Sequence, residues 1–328
     1  EVSDWIVIDD ESSSSFFLGY DMSEVHGKII KYRESKTDQD KISYQIVTNK
    51  TPFYPQGGGQ IGDIGQIISG DNKIQIKNTF KDTGEIIHET NELPADIKFP
   101  VKLKIDKNRR SLIESNHTST HLLHQALRNI LGNHVEQRGS MISDKMFRFD
   151  FSHQNKISDL ELMNISNFVN EKINQSIDII ENREEDYHIA IKNGAIGLFT
   201  EKYEDKVRTI KFNDSYELCG GTHVKNTGDI SSFKIISEGS QAFGIRRIVA
   251  TSNQEIIIAE NLKQKALMEK ADIENTNKLL KKELESQNKI KIQSLKDDLL
   301  KNIINHNDIN YFIGEIDLDP KSIKELCF

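Results

Sequence analysis

The stretch "NRRSLIESNHTSTHLLHQALRNILG", residues 108–132, separates two kinds of text in the chain. Its apolar residues recur at helical spacing and Gly132 stands where a helix would stop, so a helix is predicted over Asn108–Leu131. Within it "HTSTH" sets His117 and His121 four apart, and both imidazoles leave one helix face within reach of a single ion. Such a pair needs further ligands, and alone it fits ordinary helix histidines equally well. His124 is off that spacing and is read as structural.

Upstream, from about Gly27 to Asp106, "KIIKYR", "KISYQIV", "IGQIIS", "KIQIKNTF" and "VKLKI" alternate between Gly, Asp and Asn punctuation, the pattern of a small antiparallel sheet or barrel. Downstream, Ser158 and Glu161 form a capping-box signature for a second helix running to about Ile180, and shorter α and β pieces follow to about Ala250. From Ile256 to Ile304 nearly every residue is a helix former. Leu262, Ile273, Leu280, Leu284, Leu295 and Leu299 make an interrupted apolar stripe there, read as a long helical hairpin or coiled coil. The expected fold class is therefore α+β: a small antiparallel β-barrel-like subdomain packed on an α/β domain, followed by a long, coiled-coil-like helical hairpin. The expected divisions are an N-terminal linker at 1–26, the β-barrel-like part with a glycine-rich loop at 27–106, the core at 107–252 and the helical segment at 253–306. The start of a further unit is expected at 307–328.

At 328 residues and 36% hydrophobic the chain is long enough for two or three buried cores. A net charge of −8 argues against a general polyanion binder and leaves room for a local basic face. No run of eighteen apolar residues and no secretory leader is present, so no membrane association is expected. The two cysteines, Cys219 and Cys327, suit a reducing, cytoplasmic setting.

One of those cysteines lies in "ELCGGTHV", residues 217–224. Cys219 and His223 flank a turn in which Gly220 and Gly221 are free to take positive φ and fold both side chains inward. A thiolate and three imidazoles make an ordinary tetrahedral zinc set, which completes the pair on the helix. The simpler reading of a lone cysteine is a small buried apolar residue. The two halves lie about a hundred positions apart, too far for a zinc finger, so folding must bring them together.

A second loop, "TPFYPQGGGQIGDIG" at 51–65, formally satisfies G-x-G-x-x-G through Gly57, Gly59 and Gly62. The residues after it alternate as a strand and do not open a helix, so the dinucleotide reading is set aside. What remains is a loop where backbone approaches something closely, with Gln60 and Asp63 as its polar side chains; the simpler reading is an elaborate β-turn.

Taken in order, "TPFYPQGGGQIGD", "NHTSTHLLHQALRNILGNHVEQRGS", "FRFDFSH" and "ELCGGTHVKNTGDI" resemble the editing domain of alanyl-tRNA synthetases. "FFLGYD" upstream and "GIRRIVA" downstream extend the resemblance over nearly the whole chain. Free-standing alanyl-type editing proteins share these motifs; "GYD" and the helical tail favour the synthetase. The resemblance implies a zinc-containing deacylase that hydrolyses Ser-tRNA(Ala) and Gly-tRNA(Ala). The parent enzyme would use ATP to attach alanine to tRNA(Ala), through an aminoacylation domain absent from these residues. It further implies a substrate pocket at Thr51, Gly58, Gln60 and Asp63, with a hydroxyl near Thr51 reading serine, and it assigns no catalytic base. The zinc would act either as a Lewis acid or as an anchor for the substrate. Lys102, Lys104, Lys107, Arg109, Arg110, Arg246 and Arg247 would form a basic rim for the tRNA acceptor end, the simpler reading being a solvated charged surface. The implied partners are tRNA(Ala), the absent domains of the same enzyme and a second copy through the helical segment. A reading of a different class is a non-catalytic tRNA-binding or assembly module with a structural zinc.

Overall fold

The computed structural model describes residues 2–9, 15–36, 41–197, 204–307, 309–311, 315 and 322–324, and the chain divides into two units, Glu1–Ile258 and Ala259–Phe328. In the first unit, short alternating runs give an eight-stranded antiparallel sheet. Its spatial order is Ile6–Val7, Ile29–Lys36, Ile42–Thr48, Glu85–Thr90, Asn72–Asp82, Gly65–Ser69, Val101–Ile105 and Glu24–Gly27. The period of two is plain in Asn72–Asp82, where Ile74 and Ile76 are buried while Lys73, Gln75 and Lys77 are exposed. A two-residue turn closes this hairpin, with Thr83 and Gly84 both at positive φ.

The expected β-barrel is corrected: among the described residues the edge strands Ile6–Val7 and Glu24–Gly27 each pair with one neighbour, so the sheet is open. Strands of two and four residues are too short to supply the tilt and stagger that closure requires. Both edges begin within residues 1–26, where a linker is expected. That segment also contributes Phe16–Phe17, which pairs in parallel with Lys50–Thr51.

Helix α1, Lys107–Leu131, starts one residue before its predicted position. The Asp106 side chain caps it by accepting from Arg109 N, and Gly132 ends it at φ 119°. Every residue from Ser115 to Leu127 is buried, so α1 has no solvent face over that span. Helix α2, Asp159–Asn174, carries the predicted capping box between Ser158 and Glu161. It stops before Ile180, because Ser176 turns at φ 51° and the strand Ile180–Asp186 begins there.

Helix α3, Tyr187–Lys192, follows, and two more antiparallel sheets complete the unit. One has the order Gln137–Ile142, Phe147–Ser152, Ile245–Thr251, Lys234–Ala242; the other has Ile180–Asp186, Lys206–Phe212, Ser215–Leu218. Leu122, Leu123 and Leu127 of α1 share one core with Phe147, Phe149 and Phe151 of the four-stranded sheet and with Ile165 and Val169 of α2. Burial of this kind, at about 25 cal/mol per Å² of apolar surface, fixes α1 between sheet and helix.

Helix α4, Gln254–Lys301, runs 48 residues without interruption, which corrects the expected hairpin. No glycine or proline occurs between 254 and 301, so nothing in the chain supplies a turn. Leu262, Ile273, Leu280 and Leu284 of the apolar stripe are exposed. The strands Ile304–His306 and Ile309–Tyr311 pair after it, and most of the further unit expected at 307–328, Cys327 included, lies outside the described residues. Among the described residues no helix is long and apolar enough to cross a membrane.

Candidate metal centre

The two halves of the expected ligand set meet. His117 and His121 project from α1 towards Cys219 and His223, which follow the strand Ser215–Leu218, and the four donor atoms lie within 4.8 Å of one another. Cys219 Sγ stands 3.4 Å from His117 Nε2 and 3.3 Å from His223 Nε2. Zinc bonds of about 2.3 Å to sulfur and about 2.0 Å to nitrogen give tetrahedral edges of roughly 3.5 Å, so this spacing fits a zinc-sized ion.

The turn between Cys219 and His223 does not work as expected, since neither Gly220 nor Gly221 has positive φ. Gly221 is glycine for reasons of space: a Cβ there would overlap the His117 ring and crowd Gln60 Oε1.

Outer contacts settle which nitrogens face inward. Gln60 Oε1 accepts from Thr222 N at 2.9 Å, which fixes the amide's orientation, and lies 2.7 Å from His117 Nδ1. An acceptor at that distance requires Nδ1 to carry the proton, leaving the Nε2 lone pair aimed at Cys219 Sγ. Gln60 Nε2 donates onward to Thr222 Oγ1 at 3.0 Å. His223 Nδ1 is likewise engaged by Thr118 Oγ1 at 3.1 Å. His121 has a buried Nδ1 without a hydrogen-bond partner, while its Nε2 lies 3.6 Å from the buried carboxylate of Glu217. An orphaned buried nitrogen beside three other donors is a group that a cation would satisfy. His124 stays outside the donor set and meets Glu217 at 3.0 Å.

Burial holds His117 and His223 well below the ordinary histidine range, and both are neutral donors at pH 7. Burial also pushes the Cys219 thiol up to about 11, so a thiolate here requires a cation beside it.

His117, His121 and Cys219 form one side of a cavity of about 540 Å³, which Gly57 and Gly58 of the glycine-rich loop also line. Gly58 sits at φ 57°, a position suited to glycine. Other expected pocket residues are placed elsewhere. Gln60 stands behind His117. Thr51 is fully buried against His88 Nε2 at 2.7 Å and does not line the cavity, because the strand Lys50–Thr51 turns it into the neighbouring sheet. Asp63 is buried as the partner of Arg110 and accepts from Tyr54 N at 2.7 Å.

Most cations of the expected basic rim are ion-paired within the protein. Arg110 is buried, ion-paired to Asp63, and donates to Gly19 O and Pro52 O. Arg246 pairs with Glu238, Arg247 with Asp150, Lys102 with Glu24, and Arg109 with Asp144. Lys107 is exposed. The cations that line the cavity are instead Lys81, Lys206 and Arg208. Sequence reasoning passed over these, as well as Tyr20, Thr222 and Glu217. Thr222 and Glu217 fall inside the quoted motif "ELCGGTHV", but no spacing rule marks the other four.

Known families match parts of the chain. Residues 207–249 match the model of the threonyl and alanyl tRNA synthetase second additional domain, and residues 2–109 match that of class II (A) tRNA synthetases. The chain is thus built from aminoacyl-tRNA synthetase parts. It belongs to the alanyl-tRNA synthetase family. It is 43% identical to the alanine–tRNA ligase of Christiangramia forsetii across 99% of its own length, and 45% identical to that of Cytophaga hutchinsonii across 87%. Against the alanine–tRNA ligase of Bacteroides fragilis it is 38% identical over its full length. The chain spans 39%, 32% and 39% of those three relatives, respectively.

Proposed function

We propose that this chain is the editing part of an alanine–tRNA ligase, hydrolysing the ester of Ser-tRNA(Ala) and Gly-tRNA(Ala) at a zinc centre, within a parent enzyme that attaches alanine to tRNA(Ala). The observation that carries the reading is the meeting of four zinc-type donors at the wall of a cavity of about 540 Å³. Glycine is smaller and serine larger than alanine, and one methylene is worth only about 1–3 kcal/mol, so a single size filter cannot reject both. A second, hydrolytic site is the general solution.

His117, His121, Cys219 and His223 would hold zinc, which when bound would supply positive charge against the ester, as a Lewis acid or as an anchor for its amino group. The protein's own part is orientation. Gln60 and Thr222 hold the His117 ring, and Glu217 flanks His121. With Thr51 turned away, Thr120 and Ser140 carry the aliphatic hydroxyls that line the cavity and could read serine, while the phenols of Tyr20 and Tyr54, which also line it, donate to the Gly220 and Gly57 carbonyls. Lys81 and Lys206, both exposed at the cavity, take the phosphates of the acceptor end in place of the rim expected from sequence.

The test is deacylation of Ser-, Gly- and Ala-tRNA(Ala) by the intact protein and by Cys219→Ala. The first two esters are expected to be hydrolysed and the third spared, and Cys219→Ala is expected to fall to the spontaneous rate. Undiminished hydrolysis by Cys219→Ala would overturn the site, and tRNA binding without turnover in the wild type would favour the non-catalytic module.

A further inference from the structure

We infer that Tyr20 and Arg208 are positioning residues, a clamp that holds the segment Cys219–Gly221 in the form that presents its sulfur to His117 and His223. The inference rests on reading the site as a metal centre, but its first observations are independent of any ion. All three carbonyls of the segment are held by this one pair. Arg208 Nη1 donates to Cys219 O at 2.8 Å and to Gly221 O at 2.7 Å, and Tyr20 Oη donates to Gly220 O at 2.6 Å. The backbone adds a further tie from Cys219 N to Arg208 O at 3.1 Å.

The pair is itself fixed. The Arg208 guanidinium lies 3.9 Å from the centre of the Tyr20 ring, and its Nε donates to Glu181 at 2.7 Å. Glu181 also accepts from Arg183, whose two terminal nitrogens grip Asp21 at 2.7 and 2.8 Å. Tyr20 and Asp21 are therefore anchored to the strands Ile180–Asp186 and Lys206–Phe212, although Tyr20 and Gly220 are 200 positions apart in the chain.

The segment needs such a device. Two consecutive glycines carry the largest conformational freedom a chain offers, and Gly220 has open space where a side chain would be. Without external hydrogen bonds the sulfur would sample positions away from the imidazoles, and the metal would have to order the loop on binding. A planar guanidinium serving two carbonyls and a carboxylate at once supplies rigidity that a lysine ammonium on a flexible stem does not.

The experiment compares Tyr20→Phe and Arg208→Lys with wild type in the intact protein. Hydrogen exchange at the amides of Gly220, Gly221 and Thr222 is measured in metal-free protein. Zinc release to a chromogenic chelator and the visible spectrum of the cobalt form are measured in loaded protein. We expect exchange and zinc release to be about tenfold faster in each variant, the scale of one lost hydrogen bond, with shifted cobalt bands and a cooperative unfolding transition retained. Wild-type exchange rates in both variants would overturn the clamp. If wild-type protein takes up neither zinc nor cobalt, the metal reading fails, and exchange alone then decides the clamp.

Discussion

Gln60 shows how much chemistry one side chain settles in this protein. Its oxygen orients the His117 ring, and its nitrogen reaches Thr222 in the loop that carries the other ligands. Asp63, three residues on, does the opposite kind of work, neutralising Arg110 in a buried pair. Neither exchanges groups with solvent, so both hold the site's frame without touching the cavity. His88 is a further buried polar residue with a readable consequence. It lies between Thr51 Oγ1 and Ile46 O, and burial lowers it from 6.5 to about 4. In the unfolded chain it protonates near 6.5, whereas in the fold it stays neutral, so its contribution is fully present above 6.5 and is lost as pH falls towards 4. Urea unfolding of wild type and His88→Gln should show the wild-type advantage shrinking between pH 7 and 4, by on the order of 3 kcal/mol. A pH-independent difference would refute the assignment.

At the scale of elements, α1 and α4 are opposites. Helix α1 is polar in composition yet buried all round from Ser115 to Leu127. Its polar residues are spent on specific partners: Asn116 on Ser143 O and Ser252 N, Ser119 on Ser252, Thr118 on His223. Amphipathic spacing alone suggests a surface helix with one wet face. Burial on every side follows from the surrounding sheets, which local spacing does not encode. Helix α4 has four of the six residues of its apolar stripe exposed, Leu295 and Leu299 half-buried, and one buried residue, Ile257. Its continuity is legible in the absence of glycine and proline, and of the expected hairpin or coiled coil the single helix excludes the hairpin. Spin labels at Leu262→Cys and Ser294→Cys should lie roughly 48 Å apart along a single helix at about 1.5 Å per residue. A hairpin would bring them to about 10 Å, and such a distance would refute the single helix.

Across the whole molecule, an ion in the candidate centre would link α1 to a loop 102 positions away, so metal should act as a stability determinant as well as a chemical one. Zinc at about one hundred times its Kd should add about 2.7 kcal/mol to unfolding stability. A chelator should remove that increment in wild type and change nothing in Cys219→Ala, as followed by urea titration; a chelator-insensitive wild type would count against the centre. The sequence by itself determined the features that depend on neighbouring residues: α1 from its periodicity and Gly132, the capping box of α2, and four donors whose chemistry suits one ion. Tertiary structure alone decided what depends on distant chain segments meeting. It left the sheet open, buried Arg110 on Asp63, turned Thr51 away from the cavity and brought Tyr20 onto the Gly220 carbonyl. The physical reason is range. Helix spacing, caps and ligand type are set within a few residues, whereas pairing of edge strands, desolvation of an ion pair and a hydrogen bond across 200 positions depend on packing that no local pattern contains.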